Sequence, residues 1–74
     1  MQVTVKLYAS LRWKLFKEEA REYAAGATIA DVAAALGIPG QDIGIMLING
    51  SHAALDQVLH DGDVLSLMPR IGGG

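Results

Sequence analysis

The residues with the clearest chemical opportunity lie at the C-terminal end of the sequence, which reads Met68-Pro69-Arg70-Ile71-Gly72-Gly73-Gly74. Glycines have no Cβ, so a carboxylate at the end of such a segment can pass through a channel too narrow for other residues and meet an activating reagent without steric hindrance. A frayed terminus or an expression-tag remnant would have the same composition. The tail alone therefore does not separate a functional interpretation from a trivial one.

The rest of the sequence offers no alternative reactive centre. It contains no cysteine, so we expect no disulfide, no thiolate metal ligand and no cysteine nucleophile. Neither glycine-rich phosphate-binding motif occurs, so glycines such as Gly44 are interpreted as loop residues. His52 and His60 have no partners at the spacing of a metal site or a nucleophilic triad, so we expect exposed loop histidines, no metal site and no bound cofactor. The Gly74 carboxylate, ionised at neutral pH, remains as the candidate reactive group, and it needs a separate enzyme to activate it.

Length and charge limit the class of protein. The 74 residues predict one small domain, which buries only about 60% of its unfolded surface on folding. The formal net charge is −2 and no apolar run approaches the ~20 residues that span a bilayer, so we expect neither a nucleic-acid nor a membrane partner. The first residues show no secretory signal, which predicts a cytoplasmic protein with protein partners.

The first half predicts two strands and an undefined connection. Residues 2–8 alternate between polar and apolar, which predicts a half-buried strand. Residues 9–17 fit either one or two short helical turns or a loop, and Trp13 within them is either an anchor for a partner or part of the core packing. Residues 20–24 predict a second strand with Tyr23 facing inward.

The centre of the sequence predicts one main helix. Thr28 is the expected N-cap with Asp31 three residues later, and Gly37 is the expected C-cap. Between them, apolar residues recur at helical spacing on one face: Ile29, Val32, Ala33 and Leu36.

The second half predicts three more strands. The apolar run 45–48 predicts a buried strand, and Asn49-Gly50 predicts a two-residue hairpin turn into a short strand over 51–55. Residues 56–59 predict a single capped turn with Leu59 inward, and 61–63 a sharp reversal. The last strand, 64–68, should place Leu65 and Leu67 on the helix and leave Val64, Ser66 and Met68 on the other face.

These elements predict an α+β fold: a mixed sheet of four to five strands packed on one main helix. Pro69 cannot donate to a ladder, so we expect the folded domain to span residues 1–68 and a flexible tail to span 69–74. The second sheet face should be exposed.

Taken together, the pattern resembles the ubiquitin-like β-grasp sulfur carriers, the MoaD/ThiS-like family, over nearly the whole chain. Four segments resemble the small subunit of molybdopterin synthase, with the carrier of the thiamine pathway close behind: Val5-Lys6-Leu7-Tyr8-Ala9-Ser10-Leu11-Arg12, Gly26-Ala27-Thr28-Ile29, Ile48-Asn49-Gly50 and Leu59-His60-Asp61-Gly62-Asp63, followed by the terminal Gly73-Gly74.

The resemblance implies a carrier that is consumed and regenerated and is no enzyme on its own. An E1-like enzyme would use ATP to adenylate the Gly74 carboxylate, and a sulfur donor would convert it to a thiocarboxylate. Gly73 is then the required neighbour. The sulfur would pass to a large synthase subunit or another acceptor enzyme, most directly in molybdopterin synthesis. Two residues depart from common family tails: Gly72, and Arg70 where a second proline often stands.

The exposed sheet face is the expected docking surface, because an apolar patch on a small domain usually marks an interaction site. Met68 and Ile71 are the expected anchors, although Met68 could instead fill a gap in the core. Arg70 either pairs with an acidic groove of the activating enzyme or keeps the tail soluble.

Three alternatives stay open from the sequence. The carrier could serve thiamine-thiazole or cysteine synthesis. The chain could be a ubiquitin-like modifier that is joined to proteins through Gly74. It could also be a plain binding domain with an inert tail.

Overall fold

A computed structural model describes residues 1–70, and residues 71–74 lie outside the described part. Its helices and strands follow one another in this order: β1 (Gln2–Leu7), α1 (Ser10–Lys14), β2 (Glu18–Glu22), α2 (Ile29–Leu36), a 3₁₀ turn (Gly40–Asp42), β3 (Ile43–Ile48), β4 (Ser51–His52) and β5 (Val64–Pro69). The strands form one sheet in the order β2-β1-β5-β3-β4, parallel between β1 and β5 and antiparallel elsewhere. The predicted α+β architecture, a mixed sheet with one main helix, is confirmed.

The core lies between α2 and one face of the sheet. The alternation predicted for β1 holds, since every second side chain, from Val3 to Leu7, is buried. Leu65 and Leu67 of β5 are fully buried beside them, as predicted. The helix contributes the stripe expected from its spacing, with Ile29 and Val32 fully buried and Leu36 at the margin. The apolar residues that recur at every second position in the strands and those that recur at helical spacing in α2 thus pack together in one cluster.

Both ends of α2 are fixed by local hydrogen bonds. The Thr28 hydroxyl accepts from the Asp31 N–H at 3.2 Å, and the Asp31 carboxylate accepts from the Thr28 N–H at 2.9 Å. This reciprocal pair satisfies two amides that would otherwise lack helical partners. Gly37 ends the helix in the left-handed region at φ 74°. The predicted caps are therefore both confirmed.

The hairpin between β3 and β4 has the predicted two-residue turn. Asn49 and Gly50 have φ values of 51° and 83°, which matches the twist of the flanking strands. The Asn49 amide also reaches across to the Asp61-Gly62-Asp63 turn. Its Nδ2 donates to Asp63 Oδ1 at 3.0 Å, and its Oδ1 accepts from the Val64 N–H at 2.9 Å.

The second strand lies two residues earlier than predicted, at Glu18–Glu22 instead of 20–24. β2 is an edge strand, and its charged side chains carry no alternation from which the register could be read. Tyr23 lies just beyond the strand, half-buried against the core, so its inward orientation is confirmed.

The predicted strand at 45–48 is present within β3, but the prediction that it is buried was wrong. In β3, Ile45 remains 38% exposed and Gly44 is exposed, because one face of the sheet is uncovered and only the two-residue β4 lies beyond this strand. β4 also ends earlier than the predicted 51–55.

Two connections are now defined. Residues 9–17 contain the short helix α1, and Trp13 on it is 82% exposed, so the core-packing interpretation of Trp13 was wrong. In place of a turn at 56–59, the Gln57 N–H closes a turn on the Ala54 carbonyl, and Val58 bridges to Thr28. Leu59 is buried as predicted. Within residues 1–70, no helix is both long and apolar enough to cross a membrane.

Candidate functional site

The C-terminal segment begins at the middle of the sheet. β5 lies between β1 and β3 and runs one residue further than the predicted 64–68, because Ile43 pairs with Pro69 across the ladder. The Arg70 N–H then donates to the Asp42 carbonyl at 2.8 Å. Backbone hydrogen bonds therefore hold the chain up to Arg70, where the described residues end.

Gly44 makes room for this last stretch of β5. The register between β3 and β5 shifts between Ile43 and Ile45, which places Gly44 at an irregularity in the ladder. A Cβ on Gly44 would lie 2.9 Å from the Arg70 Cα and 2.9 Å from the Pro69 carbonyl oxygen, closer than real Cβ atoms approach. The Pro69-Arg70 backbone can therefore pass β3 only because residue 44 is glycine.

The sequence-based interpretation of Gly44 as a loop residue was wrong, because Gly44 lies within β3. A signal was present, since Gly44 stands alone inside an apolar run between Ile43 and Ile45. An isolated glycine in a strand pattern indicates a bulge or a close approach of another backbone.

The uncovered face of the sheet carries an apolar strip beside this exit point. Ile45 pairs with Met68, and Leu47 pairs with both Ser66 and His52. Paired residues point to the same face, which is opposite to the face of the buried Leu67. We call Ile45, Leu47 and Met68 the outer strip. Met68 is half-buried, and its place in the outer strip favours a surface role over a role in the core.

Charged groups border the outer strip on β1, the direct neighbour of β5, and on β2 beyond it. Lys6 of β1 and Glu18 of β2 form an ion pair with 4.0 Å between Nζ and Oε1, and both side chains are partly exposed. Exposed pairs of this kind contribute little to stability. The border is thus polar while the strip itself is apolar, an arrangement common to protein interfaces.

A cleft opens on the other side of the exit point. It has a volume of about 330 Å³ and is lined by residues of α1 and of the 3₁₀ turn together with Pro69 and Arg70. Lys14 and Asp42 contribute opposite charges to its walls. Arg70 therefore lines a cleft that carries both charges and follows Met68 of the apolar outer strip by two residues.

The remaining titratable side chains do not converge on this point. His52 and His60 are exposed, and His60 Nδ1 lies 4.0 Å from Asp63 Oδ2 in the turn before β5. Desolvation raises the pKa of Tyr23, and the nearby Arg21 cation partly opposes the rise. The Tyr23 hydroxyl is buried and has no hydrogen-bond partner within residues 1–70.

The predicted site residues divide into two groups. Met68 and Arg70 are placed by the structure at the exit from the sheet, with Arg70 exposed. Ile71, Gly72, Gly73 and Gly74 lie outside the described residues. Their proposed roles, and the partner-binding roles of Met68 and Arg70, stay predictions.

Comparison with known proteins identifies relatives of this fold. The ThiS family model matches residues 5–74. SAMP1 from Haloferax volcanii is 25% identical over 100% of both chains, with a TM-score of 0.76. A protein from Pyrococcus furiosus assigned as molybdopterin converting factor subunit 1 is 26% identical over 96% of this chain and 99% of its own, with a TM-score of 0.77.

A third solved structure shows this fold in an assembly. It is the complex of subunits 1 and 2 of the molybdopterin-converting factor from Helicobacter pylori, which matches at 21% identity over 100% of both chains with a TM-score of 0.67. At that identity the likeness concerns the fold. No curated protein sequence matches the chain significantly.

Proposed function

The chain belongs to the ThiS family, whose ubiquitin-fold members are sulfur carriers or modifiers, and we propose that it is a sulfur carrier whose reactive group is the Gly74 carboxylate. The observation that carries the proposal is the exit of the chain from the centre of the sheet. β5 is hydrogen-bonded on both sides, and Arg70 is still tied to Asp42. Because Arg70 is held in a fixed position next to the apolar outer strip, a partner enzyme that binds the strip would find residues 71–74 close to its binding site.

The proposed cycle has two chemical steps. A Gly74 carboxylate oxygen attacks the α-phosphorus of ATP on an E1-like enzyme, pyrophosphate leaves, and an acyl-adenylate forms. A sulfide-equivalent donor then attacks the carbonyl carbon and displaces AMP, which leaves a thiocarboxylate. Gly73 has no Cβ, so it lets Gly74 enter a narrow active-site channel of the activating enzyme. Gly72 adds one more residue without steric hindrance. ATP belongs to the activating enzyme, and the cytoplasm is the proposed site of the cycle.

The proposed acceptor is a molybdopterin precursor held by a large synthase subunit. Support comes from the 26% identity to the protein assigned as molybdopterin converting factor subunit 1. Thiazole and cysteine synthesis remain the alternative acceptor pathways. The gene neighbourhood separates them, since an adjacent large synthase subunit favours the pterin, a thiazole synthase favours thiamine and a cysteine synthase favours amino-acid sulfuration.

The outer strip is the proposed docking surface for these enzymes. Ile45 is 38% exposed, and its neighbour Met68 lies on β5, two residues before Arg70. A partner that covers the strip is therefore positioned to receive the segment beyond Arg70, with Ile71 as a further anchor. Arg70 is the proposed contact for an acidic groove, and unchanged adenylation kinetics of Arg70→Ala at low salt would count against that contact.

Intact mass spectrometry tests the carrier function. The full chain is incubated with ATP, a cognate activating enzyme and a sulfur source, and we expect the mass change for replacement of one oxygen by sulfur. A variant that lacks Gly73 and Gly74 is the control and should show no change while it stays folded. Retention of full function by this truncated variant would instead indicate a binding domain with an inert tail.

A second candidate function is protein modification, favoured by the 25% identity to SAMP1, the small archaeal modifier protein 1, over both full chains. Modification would start from the same acyl-adenylate and end in an isopeptide bond between Gly74 and a lysine. If the incubation yields isopeptide-linked ladders and no thiocarboxylate, the carrier proposal is wrong and the modifier is favoured.

A further inference from the structure

The helix α1 and the loop after it expose unusually large apolar side chains. The sequence from residue 12 to 17 reads Arg12-Trp13-Lys14-Leu15-Phe16-Lys17. Trp13 is 82% exposed and Leu15 is 43% exposed, and none of the five helical residues is fully buried. Trp and Arg are enriched where interfaces concentrate their binding energy. Stability alone does not explain a tryptophan in this position.

The backbone before α1 is strained, which also argues against a purely structural role. Ala9 has φ 50° and ψ −130°, a combination that L-residues other than glycine rarely adopt. Strain of this kind costs about 1–3 kcal/mol and is found most often at functional positions. No side-chain cap offsets the strain at α1, and within the helix only Leu11 packs, partly buried, against the core.

The same segment carries positive charge that the fold leaves available. Residues 9–17 contain three cations and no acid, in a chain whose formal net charge is −2. Arg12 is tied to the fold, since its Nε donates to the Leu7 carbonyl at 3.3 Å and its guanidinium lies 5.9 Å from the Tyr8 ring centre. Within residues 1–70, neither Lys14 nor Lys17 forms an ion pair, and both side chains are exposed.

A groove opens beside α1, and its walls include Lys14 and Leu15 but neither Trp13 nor Lys17. It has a volume of about 200 Å³, and its apolar walls come from the helix α1 and from the end of α2: Leu11, Leu15, Leu36, Ile38 and Pro39. Lys14 and Asp42 both lie on the wall of this α1 groove and also on the wall of the cleft at Arg70, so the only acid on the groove wall lies at the end next to Arg70. No residue of the outer strip lines the groove. The α1 groove is thus a separate surface that extends toward the base of the C-terminal segment.

We propose that the α1 groove, with Trp13, Lys14 and Lys17, is a second docking surface that binds an acidic amphipathic segment of a partner protein. One apolar side chain of that segment fills the groove, and its flanking carboxylates contact the two lysines. Trp13, which lies beside the groove and not on its wall, adds an exposed apolar contact for the same segment. The proposal stands apart from the sulfur-carrier function, since it rests on surfaces remote from Gly74 in sequence.

Shape and charge favour a protein over an anionic membrane. A concave space of about 200 Å³ accepts a single protruding side chain, whereas a lipid surface is flat on this scale. Glu18 and Glu19 follow Lys17 directly and are exposed, so an extended layer of phosphates would meet repulsion next to the attraction. A short acidic segment can contact Lys14 at the groove, and Lys17 at its end, without lying along β2.

The test is an NMR titration of the full, ¹⁵N-labelled chain with three synthetic peptides at low salt. The first peptide is acidic with one central leucine, the second replaces that leucine by serine, and the third replaces the acids by lysines. We expect the first to shift the amides of residues 11–17 and 36–42, and the other two to bind at least about tenfold more weakly. Equal binding of the serine peptide, shifts centred on Ile45 and Leu47, or no saturable shift would each overturn the proposal.

Variants separate the α1 groove from general charge effects. Trp13→Ala and Lys14→Glu should each weaken binding of the leucine peptide by about tenfold while the free energy of unfolding stays near that of the wild type, because both side chains are exposed. Ile45→Asp on the outer strip is the matched control and should bind the peptide normally. Co-sedimentation with vesicles of phosphatidylcholine and phosphatidylglycerol, lost on Lys14→Glu, would overturn the proposal in favour of a membrane surface.

Discussion

The α-carbon of Arg70 lies 2.9 Å from the position that a Cβ on Gly44 would occupy. Arg70 is the last described residue, and Gly44 belongs to the strand beside it. The contact involves backbone atoms on the Arg70 side, so a side-chain rotation cannot relieve it. The base of the C-terminal segment is therefore set by a residue 26 positions earlier in the sequence.

Gly44→Ala should displace the end of β5. We expect a loss of about 1–3 kcal/mol in the free energy of unfolding, as for other overpacked sites, measured by urea denaturation. Adenylation of the chain should fall further than this loss of stability explains, because Arg70 moves. Gly40→Ala is the control, since its Cβ would meet only the flexible Leu55 side chain, at 3.0 Å. Equal effects of the two substitutions would contradict the assignment.

Ile45→Asp should weaken docking on the outer strip while the domain stays folded. Ile45 is 38% exposed, so the aspartate can remain in water, but an apolar partner would have to desolvate it. We expect the affinity for the activating enzyme to fall by about tenfold or more, equivalent to ~1.4 kcal/mol, in a calorimetric titration. Ala54→Asp, in an exposed loop, controls for added charge. Wild-type affinity of the Ile45 variant would remove the outer strip from the proposed interface.

Asn49→Gly should destabilise the domain although glycine accepts φ 51° more readily than asparagine. The substitution removes the two hydrogen bonds to Asp63 and Val64, and we expect a loss of about 1–2 kcal/mol in thermal or urea unfolding. Asn49→Ala should lose roughly 1 kcal/mol more, because alanine adds the cost of the left-handed backbone. If Asn49→Gly were as stable as the wild type, the amide would not tie the hairpin to the turn before β5.

Tyr23→Phe should not destabilise the domain at neutral pH and should add up to about 1 kcal/mol, because it removes a buried hydroxyl without a partner. Burial raises the pKa of Tyr23 above its ordinary value of 10.0. Above pH 10 the unfolded chain therefore loses this proton first, and stability falls until the folded phenol also ionises. The variant should show a shallower decline of stability above pH 10 than the wild type.

Tyr8→Phe is the matched control for that measurement, since the sequence has two tyrosines and this variant keeps Tyr23. It should retain the steep decline above pH 10. The same slope in both variants would mean that Tyr23 is not responsible.

The elements that sequence reasoning located well are those whose signals are local. Thr28, Asp31 and Gly37 define both ends of α2 within ten residues of the chain. The two residues Asn49 and Gly50 are enough to define the hairpin turn between β3 and β4. The alternation of polar and apolar residues in β1 is also a local signal, because burial of one face of a strand requires an apolar residue at every second position. For these elements, neighbouring residues already contain the reason for the structure.

The elements that were misplaced depend on distant parts of the chain. β2 takes its register from β1 and has charged residues on both faces, so its own sequence does not determine where it starts. The exposure of Ile45 depends on the order of the strands, which leaves β3 next to a two-residue edge. Gly44 acquires its role only when Pro69 and Arg70 pass beside it.

The central position of β5 has a mechanical consequence. β1 and β5 are parallel neighbours, and β3 pairs with β5 on the other side. A pull on Arg70 along the strand would load the hydrogen bonds of both ladders in shear, so that many must break together and not one after another. An enzyme that draws the chain end into a narrow tunnel would therefore stretch the last few residues before it could unravel the domain. The two ladders on either side of β5 therefore let the domain resist tension that is applied at Arg70.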